Sequence, residues 1–280
     1  MGGKQRGATG NVAYVKANRV TQNILFSVVG PIATITFNRP EVMNALDWDM
    51  IVRFREVCEE VRHTEAVRAV LMRGEGPAFL AGGDVAMFRA NLRQLPELIV
   101  KGARELHHAI LALRRMNKPV IASVHGAVAG GGMSVMLSAD LVIAADDTQF
   151  TLAYSRIAAS PDGGTTYFLP RMVGYHKAME LALLSDTIDA ETAKNLGIVN
   201  FVVPATELQV QTASLMQRLA QGATYAYGET KALMNRSINA SMEEQLEAEV
   251  QAFSRCARTA DLAEGVTAFV EKRKPAFTGK

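Results

Sequence analysis

Cysteine is scarce in this chain of 280 residues: there are two, Cys58 and Cys256, far apart in sequence. That gives no disulfide framework and no CxxC metal knuckle, as expected in a reducing compartment. Excess charge is also missing. Thirty Lys+Arg face 28 Asp+Glu, for a net +2, so composition signals no general binder of nucleic acid or other polyanions. No uninterrupted apolar run approaches the roughly 18 residues of a membrane helix. Residues 1–22 lack the apolar stretch of a signal peptide and read as a flexible polar extension. HxxxH and HExxH spacings are absent, so no metal is expected. Neither GxGxxG after a first strand nor GxxxxGK[ST] occurs, which leaves dinucleotide and P-loop readings without support. What remains is a soluble, cytoplasmic globular protein, long enough to bury a sizeable core.

The hydrophobic pattern supplies the architecture. Ile24–Phe26 and Ile32–Phe37 flank Gly30-Pro31 and read as a hairpin. Asn44 to Arg62 carries helical spacing, with Leu46, Met50, Phe54, Val57 and Val61 on one face and Asp47 in the first turn. Val67–Met72 reads as a strand and Ala78–Leu80 as a further short one. Residues 96–116 form a second long helix that Lys118-Pro119 ends. Val120–Val124 is a buried strand, Gly126–Gly132 a glycine-rich turn, Met133–Ala139 an apolar helix and Leu141–Ala145 another strand. This alternation implies an α/β core with crossover connections, and the short strands spaced about a helix apart suggest repeated strand–strand–helix units rather than a plain doubly wound sheet. Beyond Gly164 the chain turns helical: Thr165–Leu184, Ala190–Leu196, Glu207–Gln221, Tyr225–Asn239, Met242–Thr259 and Leu262–Lys272, with Val199–Val203 as the one strand. The expected organisation is an extension over 1–22, an α/β core with the active site over 23–204, and a helical oligomerisation or lid region over 205–280.

Two turns put backbone N–H groups where a ligand can reach them. They are Phe79-Leu80-Ala81-Gly82-Gly83-Asp84 and Ala129-Gly130-Gly131-Gly132-Met133. Each is a strand, then small residues, then a helix whose N-terminus presents free N–H groups and the positive end of its dipole. Glycine lets a ligand approach the backbone closely. Facing one another, two such turns would form an oxyanion hole for a carbonyl that becomes an enolate. A three-glycine run taken alone reads more readily as a tight turn with close helix–sheet packing.

The motifs become specific when read in order. They run Asn38-Arg39-Pro40 with Asn44-Ala45-Leu46, the segment Phe79–Asp84, Lys118-Pro119-Val120-Ile121-Ala122, Gly126 through Gly132, Ala139-Asp140, Pro161-Asp162-Gly163-Gly164 and Phe269-Val270-Glu271-Lys272-Arg273. From about residue 24 onward the chain resembles the enoyl-CoA hydratase/isomerase (crotonase) family. The resemblance implies a spiral of β-β-α units with a helical C-terminal region, assembled as trimers or dimers of trimers. It implies an acyl-CoA substrate and a thioester enolate, with oxyanion donors on the N–H groups of Gly83 and Gly131. No permanently bound cofactor is implied, since coenzyme A arrives as part of the substrate.

The same resemblance exposes a departure. The family's hydratases use two glutamates, and the position two residues after the glycine triplet is Ser134 here. The second falls in Phe150-Thr151-Leu152-Ala153-Tyr154-Ser155, which holds no carboxylate. Asp162 is the acid in the right region. It reads as a turn or cap residue, or, by resemblance to members that shift a double bond, as the single acid/base. This favours an isomerase over a hydratase. Aryl-CoA dehalogenases of the family place a nucleophilic Asp here, with a histidine on the preceding long helix, which matches His107. Tyr154 matches their aromatic partner. Ser134 reads as a hydrogen-bonding residue or a helix cap, and Met133 as core or acyl-pocket lining. For coenzyme A, the resemblance points to the backbone from Ala81 through Gly83, Asp84 and Val85 for adenine, and to Phe269 and Lys272 for the nucleotide. A non-catalytic acyl-CoA-binding homologue is the reading from another class.

Overall fold

The computed structural model describes residues 23–280; the extension expected over 1–22 lies outside them. Nine strands alternate with helices in the first two thirds of that span. They are β1 (Ile24–Val29), β2 (Ile32–Phe37), β3 (Ala69–Gly74), β4 (Val120–Val124), β5 (Ala127–Ala129), β6 (Leu141–Ala145), β7 (Gln149–Thr151), β8 (Ile188–Asp189) and β9 (Phe201–Val203). The helices placed among them are α1 (Trp48–His63), α2 (Val85–Ala90), α3 (Leu95–Arg115), α4 (Gly131–Leu137), α5 (Thr165–Val173), α6 (Tyr175–Leu184) and α7 (Ala190–Asn195). Four more follow: α8 (Leu208–Ala220), α9 (Thr224–Ser237), α10 (Met242–Cys256) and α11 (Ala260–Glu271).

The main sheet has the order β1-β2-β3-β4-β6-β9. Only the β1–β2 hairpin is antiparallel; every other neighbour pair is parallel. Parallel neighbours require crossovers, and the crossovers here have a repeating form. After β2, β3, β4 and β6 the chain makes a second, short pairing before it enters a helix. Leu46 bridges Gly83, Leu80 bridges Val128, and β5 pairs with β7. Long strand, short strand, helix is therefore the repeating turn, and stacking these turns gives the expected spiral of β-β-α units. Each pairing of short strands sets one turn of the spiral directly against the next.

The interior is continuous. Phe37 lies 5.2 Å from Phe54 and 5.4 Å, edge-on, from Phe79, which ties β2, α1 and the first glycine turn together. All five residues of β4 are buried, as a strand covered on both faces requires. A second apolar cluster of Ala69, Ile121, Ile143, Met216 and Ala220 packs α8 on the sheet. Polar ties hold the C-terminal helices as well. Lys231 Nζ on α9 reaches Asp140 Oδ2 and the Leu113 carbonyl, both at 2.7 Å. Burial pushes its ammonium down while Asp140 opposes that shift. Among the described residues no helix is long and apolar enough to cross a membrane.

Several element boundaries differ from the sequence reading. The helix expected from Asn44 begins at Trp48, because Asn44 sits at φ +60° and Leu46 is committed to its bridge with Gly83. Asp47 is thus the N-cap, accepting from Met50 N–H at 2.8 Å, rather than a first-turn residue. Ala78–Leu80 is no strand beyond the single bridge at Leu80. The helix expected over Met133–Ala139 starts earlier, at Gly131. The continuous helix over Thr165–Leu184 is broken at Gly174, whose φ of +80° and ψ of 161° end α5. Val199–Val203 shortens to Phe201–Val203, and Ile188–Asp189 is a second strand in the region where one was expected.

Candidate active site

The two glycine turns meet. A Cβ built on Gly82 would lie 3.0 Å from the Ala129 carbonyl and 3.4 Å from Gly131 N, so the backbones touch without side chains between them. Gly82 has φ +100° and Gly130 φ +49°, conformations that L side chains rarely adopt. Gly130 directly precedes α4 and offers it no side-chain cap, so the N–H groups of the first helical turn stay open. Among the described residues, neither Gly83 N–H nor Gly131 N–H has an acceptor. Two free donors thus stand on adjoining turns.

The first turn is held in place by polar side chains. Asp84 caps α2, accepting from Met87 N–H at 3.0 Å, and pairs with Arg39 at 3.1 Å. Burial raises its carboxyl, but the Met87 N–H and the Arg39 guanidinium outweigh that and hold it below its usual range. Arg39 also pairs with Asp47 at 3.3 Å. Asn44, fully buried, donates to the carbonyls of Glu75, Ala78 and Phe79 at 2.9, 2.8 and 3.2 Å and accepts from Arg39 N–H at 2.7 Å. Val85, at the start of α2, is half exposed at 51%.

Beside the second turn lies a cluster of hydroxyls around one carboxylate. Tyr154 hydroxyl donates to Asp162 Oδ1 at 2.6 Å. Ser134 Oγ lies 3.0 Å from Tyr154 Oη, 3.0 Å from the Asp162 carbonyl and 2.6 Å from Thr165 Oγ1. Proton counting orders these contacts. Tyr154 has one proton and spends it on Asp162, so its oxygen accepts from Ser134. Ser134 shares its proton between Tyr154 and the Asp162 carbonyl, and Thr165 donates to Ser134. Burial, with the Asp162 carboxylate alongside, pushes the Tyr154 phenol well above its usual range, so it stays protonated and donates.

The structure places the remaining residues as follows. Ser134 is fully buried inside α4 and caps nothing, which corrects the cap reading. The side chain of Asp162 does not cap α5 either: Gly164 occupies that position, and the Asp162 carbonyl accepts from Thr165 N–H at 3.1 Å. His107 on α3 does come to the site, where its Nε2 accepts from Gly163 N–H at 3.2 Å. Met133, 2% exposed, belongs to the main core. Ala81 N–H is taken by the Met43 carbonyl at 3.0 Å. Phe269 is 85% exposed on α11, and Lys272 closes that helix at φ +56°. Phe269 borders a cavity of about 380 Å³ formed with Tyr225, Cys256, Leu262 and Val266, which shares no residue with the glycine turns. Sequence reasoning missed Thr165 and the Gly163 N–H. The available signal was their adjacency to Asp162 in Pro161-Asp162-Gly163-Gly164-Thr165.

With this geometry established, comparison with known proteins is informative. Residues 29–280 match the family model described as enoyl-CoA hydratase/isomerase. The chain is 34% identical over 258 residues to 1,2-epoxyphenylacetyl-CoA isomerase of Escherichia coli, covering 92% of this chain and 98% of that protein. It is also 34% identical to trans-2-decenoyl-[acyl-carrier-protein] isomerase of Streptococcus mutans, covering 92% and 99%. Among solved structures, an enoyl-CoA hydratase from Polaromonas sp. JS666 superposes with a TM-score of 0.86 at 33% identity, covering 90% of this chain and 98% of that one.

Proposed function

The chain belongs to the enoyl-CoA hydratase/isomerase family, and from that premise we propose that it shifts the double bond of an enoyl-CoA thioester between the β,γ and α,β positions. The observation that carries this reading is the cluster around Asp162. The two stretches in which hydratases of this family are expected to carry glutamates supply Ser134 and Tyr154 instead. Both are neutral, and both belong to the hydrogen-bond network of Asp162. One carboxylate remains to handle protons.

A single carboxylate suffices for isomerisation. Asp162 removes a proton from the α-carbon of a β,γ-enoyl thioester. The electron pair delocalises through the double bond and carbonyl to give a dienolate whose charge rests on the thioester oxygen. The free N–H groups of Gly83 and Gly131 hold that oxygen; each such donor is worth about 3 kcal/mol of barrier. Asp162 then returns the proton to the γ-carbon, which leaves the α,β-enoyl thioester and an ionised Asp162. Hydration would further require a group to activate water, and neither Ser134 nor Tyr154 is a base at neutral pH. The S. mutans relative, whose name specifies isomerisation of an enoyl chain, supports this assignment; the E. coli relative is named an isomerase of an epoxide. The occupied Nε2 of His107 weighs against the dehalogenase reading.

Coenzyme A enters this account as part of the substrate. The backbone at Gly83-Asp84-Val85 faces its adenine, and Phe269 and Lys272 of a neighbouring copy approach its phosphates. The exposed Val266, Phe269 and Val270 support assembly of the chain as a trimer or pair of trimers; a single-chain mass in light scattering would remove that part of the reading. The test of function is product identity. Given trans-3-enoyl-CoA, the protein yields trans-2-enoyl-CoA; given trans-2-enoyl-CoA, it forms little 3-hydroxyacyl-CoA. Rapid hydration with no double-bond shift would reject the proposal.

A further inference from the structure

The carboxylate of Asp162 is used unequally. Oδ1 accepts the Tyr154 hydroxyl at 2.6 Å, while Oδ2 has no hydrogen-bond partner among the described residues. Tyr154 is itself fixed from behind, because Ser134, held by Thr165 and the Asp162 carbonyl, lies 3.0 Å from its oxygen. The chain Thr165–Ser134–Tyr154–Asp162 therefore ends on one carboxylate oxygen and leaves the other open. We propose that Tyr154 is a positioning residue for Asp162: its hydroxyl clamps Oδ1, fixes the plane of the carboxylate, and leaves Oδ2 as the oxygen that takes and returns the proton. This rests on the reading of Asp162 as the acid/base.

The arrangement has a physical consequence for the carboxylate. A hydroxyl donated to one carboxylate oxygen fixes the rotation of the group and leaves the lone pairs of the other oxygen free to take a proton. Tyr154 stays protonated through the neutral range, because burial beside Asp162 disfavours its phenolate. The titratable groups that face Asp162 are Tyr154, from the turn after β7, and His107 of α3, whose Nε2 takes Gly163 N–H. From α4 and α5 come the hydroxyls of Ser134 and Thr165. Removing the Tyr154 hydroxyl frees the carboxylate to turn, so turnover falls while the acyl-CoA still binds. A phenylalanine at 154 keeps the ring and loses only the oxygen.

The experiment compares wild type, Tyr154→Phe and Ser134→Ala in two readouts. The first is kcat and KM on trans-3-enoyl-CoA, measured separately. The second is binding of a saturated acyl-CoA together with the denaturant midpoint, which report whether the site and the fold persist. The expected result for Tyr154→Phe is a kcat reduced about tenfold, with KM, binding and midpoint little changed. Ser134→Ala, which leaves Tyr154 in place but unsupported, lowers kcat by less. A kcat for Tyr154→Phe equal to that of wild type, or a loss carried by KM instead, overturns the inference. The proposed function is tested apart from it: an Asp162→Asn variant with undiminished turnover would reject the acid/base role itself, whatever Tyr154 does.

Discussion

The two glycine turns offer the same groups to a ligand by opposite means. Residues 79–84 are braced by side chains: Asn44 ties down the carbonyls of Ala78 and Phe79, and Asp84 caps α2 while Arg39 holds it. Residues 126–132 are fixed by lack of side chains. A Cβ on Gly126 would fall 2.0 Å from the Pro77 carbonyl oxygen, and one on Gly132 would fall 2.0 Å from that of Leu80. One free N–H is thus positioned by hydrogen bonds and the other by close packing. The difference predicts how each turn fails: the first through removal of polar groups, the second through addition of a single methyl.

The largest effect should come from Gly132→Ala. Its Cβ would meet the carbonyl group and Cβ of Leu80, none of which can swing aside, so the two turns must separate; overpacking of this kind costs about 3 kcal/mol. A denaturant midpoint close to that of wild type would contradict the packing account of the second turn. Asn44→Ala should follow, at about 2 kcal/mol, since it strips partners from three carbonyls and removes a residue type that tolerates φ +60°. If Asn44→Ala proved more damaging than Gly132→Ala, the contrast between the turns would be reversed. The smallest effect on stability is that of Tyr154→Phe, where the fold is retained and the loss appears in kcat.

The contrast also explains what was legible in the sequence. The glycines of both turns stood out as residue types, strand-turn-helix order marked both turns as places where N–H groups are open, and the choice of Gly83 and Gly131 came from the resemblance. The repeated short strands were only suggested by the spacing of strands about a helix apart. Three-residue pairings such as β5 with β7, and single bridges such as Leu80 with Val128, carry too few residues to show a period of two. Asn44 carried a motif but no visible task, because the three carbonyls it donates to lie more than thirty positions away. Asp162 could be singled out as an acid in the right region. That Tyr154 donates to it, and that Ser134 and Thr165 stand behind Tyr154, depends on the packing of α4, α5 and the turn after β7, which spacing along the chain does not reveal. Phe269 and Lys272 were pointed to by resemblance alone, and Phe269 borders a cavity that shares no residue with the glycine turns.

The central claim is that one carboxylate, Asp162, carries the proton in a double-bond shift. The direct measurement is the rate of trans-3-enoyl-CoA to trans-2-enoyl-CoA conversion by wild type and Asp162→Asn, with acyl-CoA binding followed in parallel. Asn keeps the shape and still accepts the Tyr154 hydrogen bond, but it cannot take a proton. A fall of about a hundredfold or more in kcat with binding retained is the predicted result. Undiminished turnover by Asp162→Asn would contradict it.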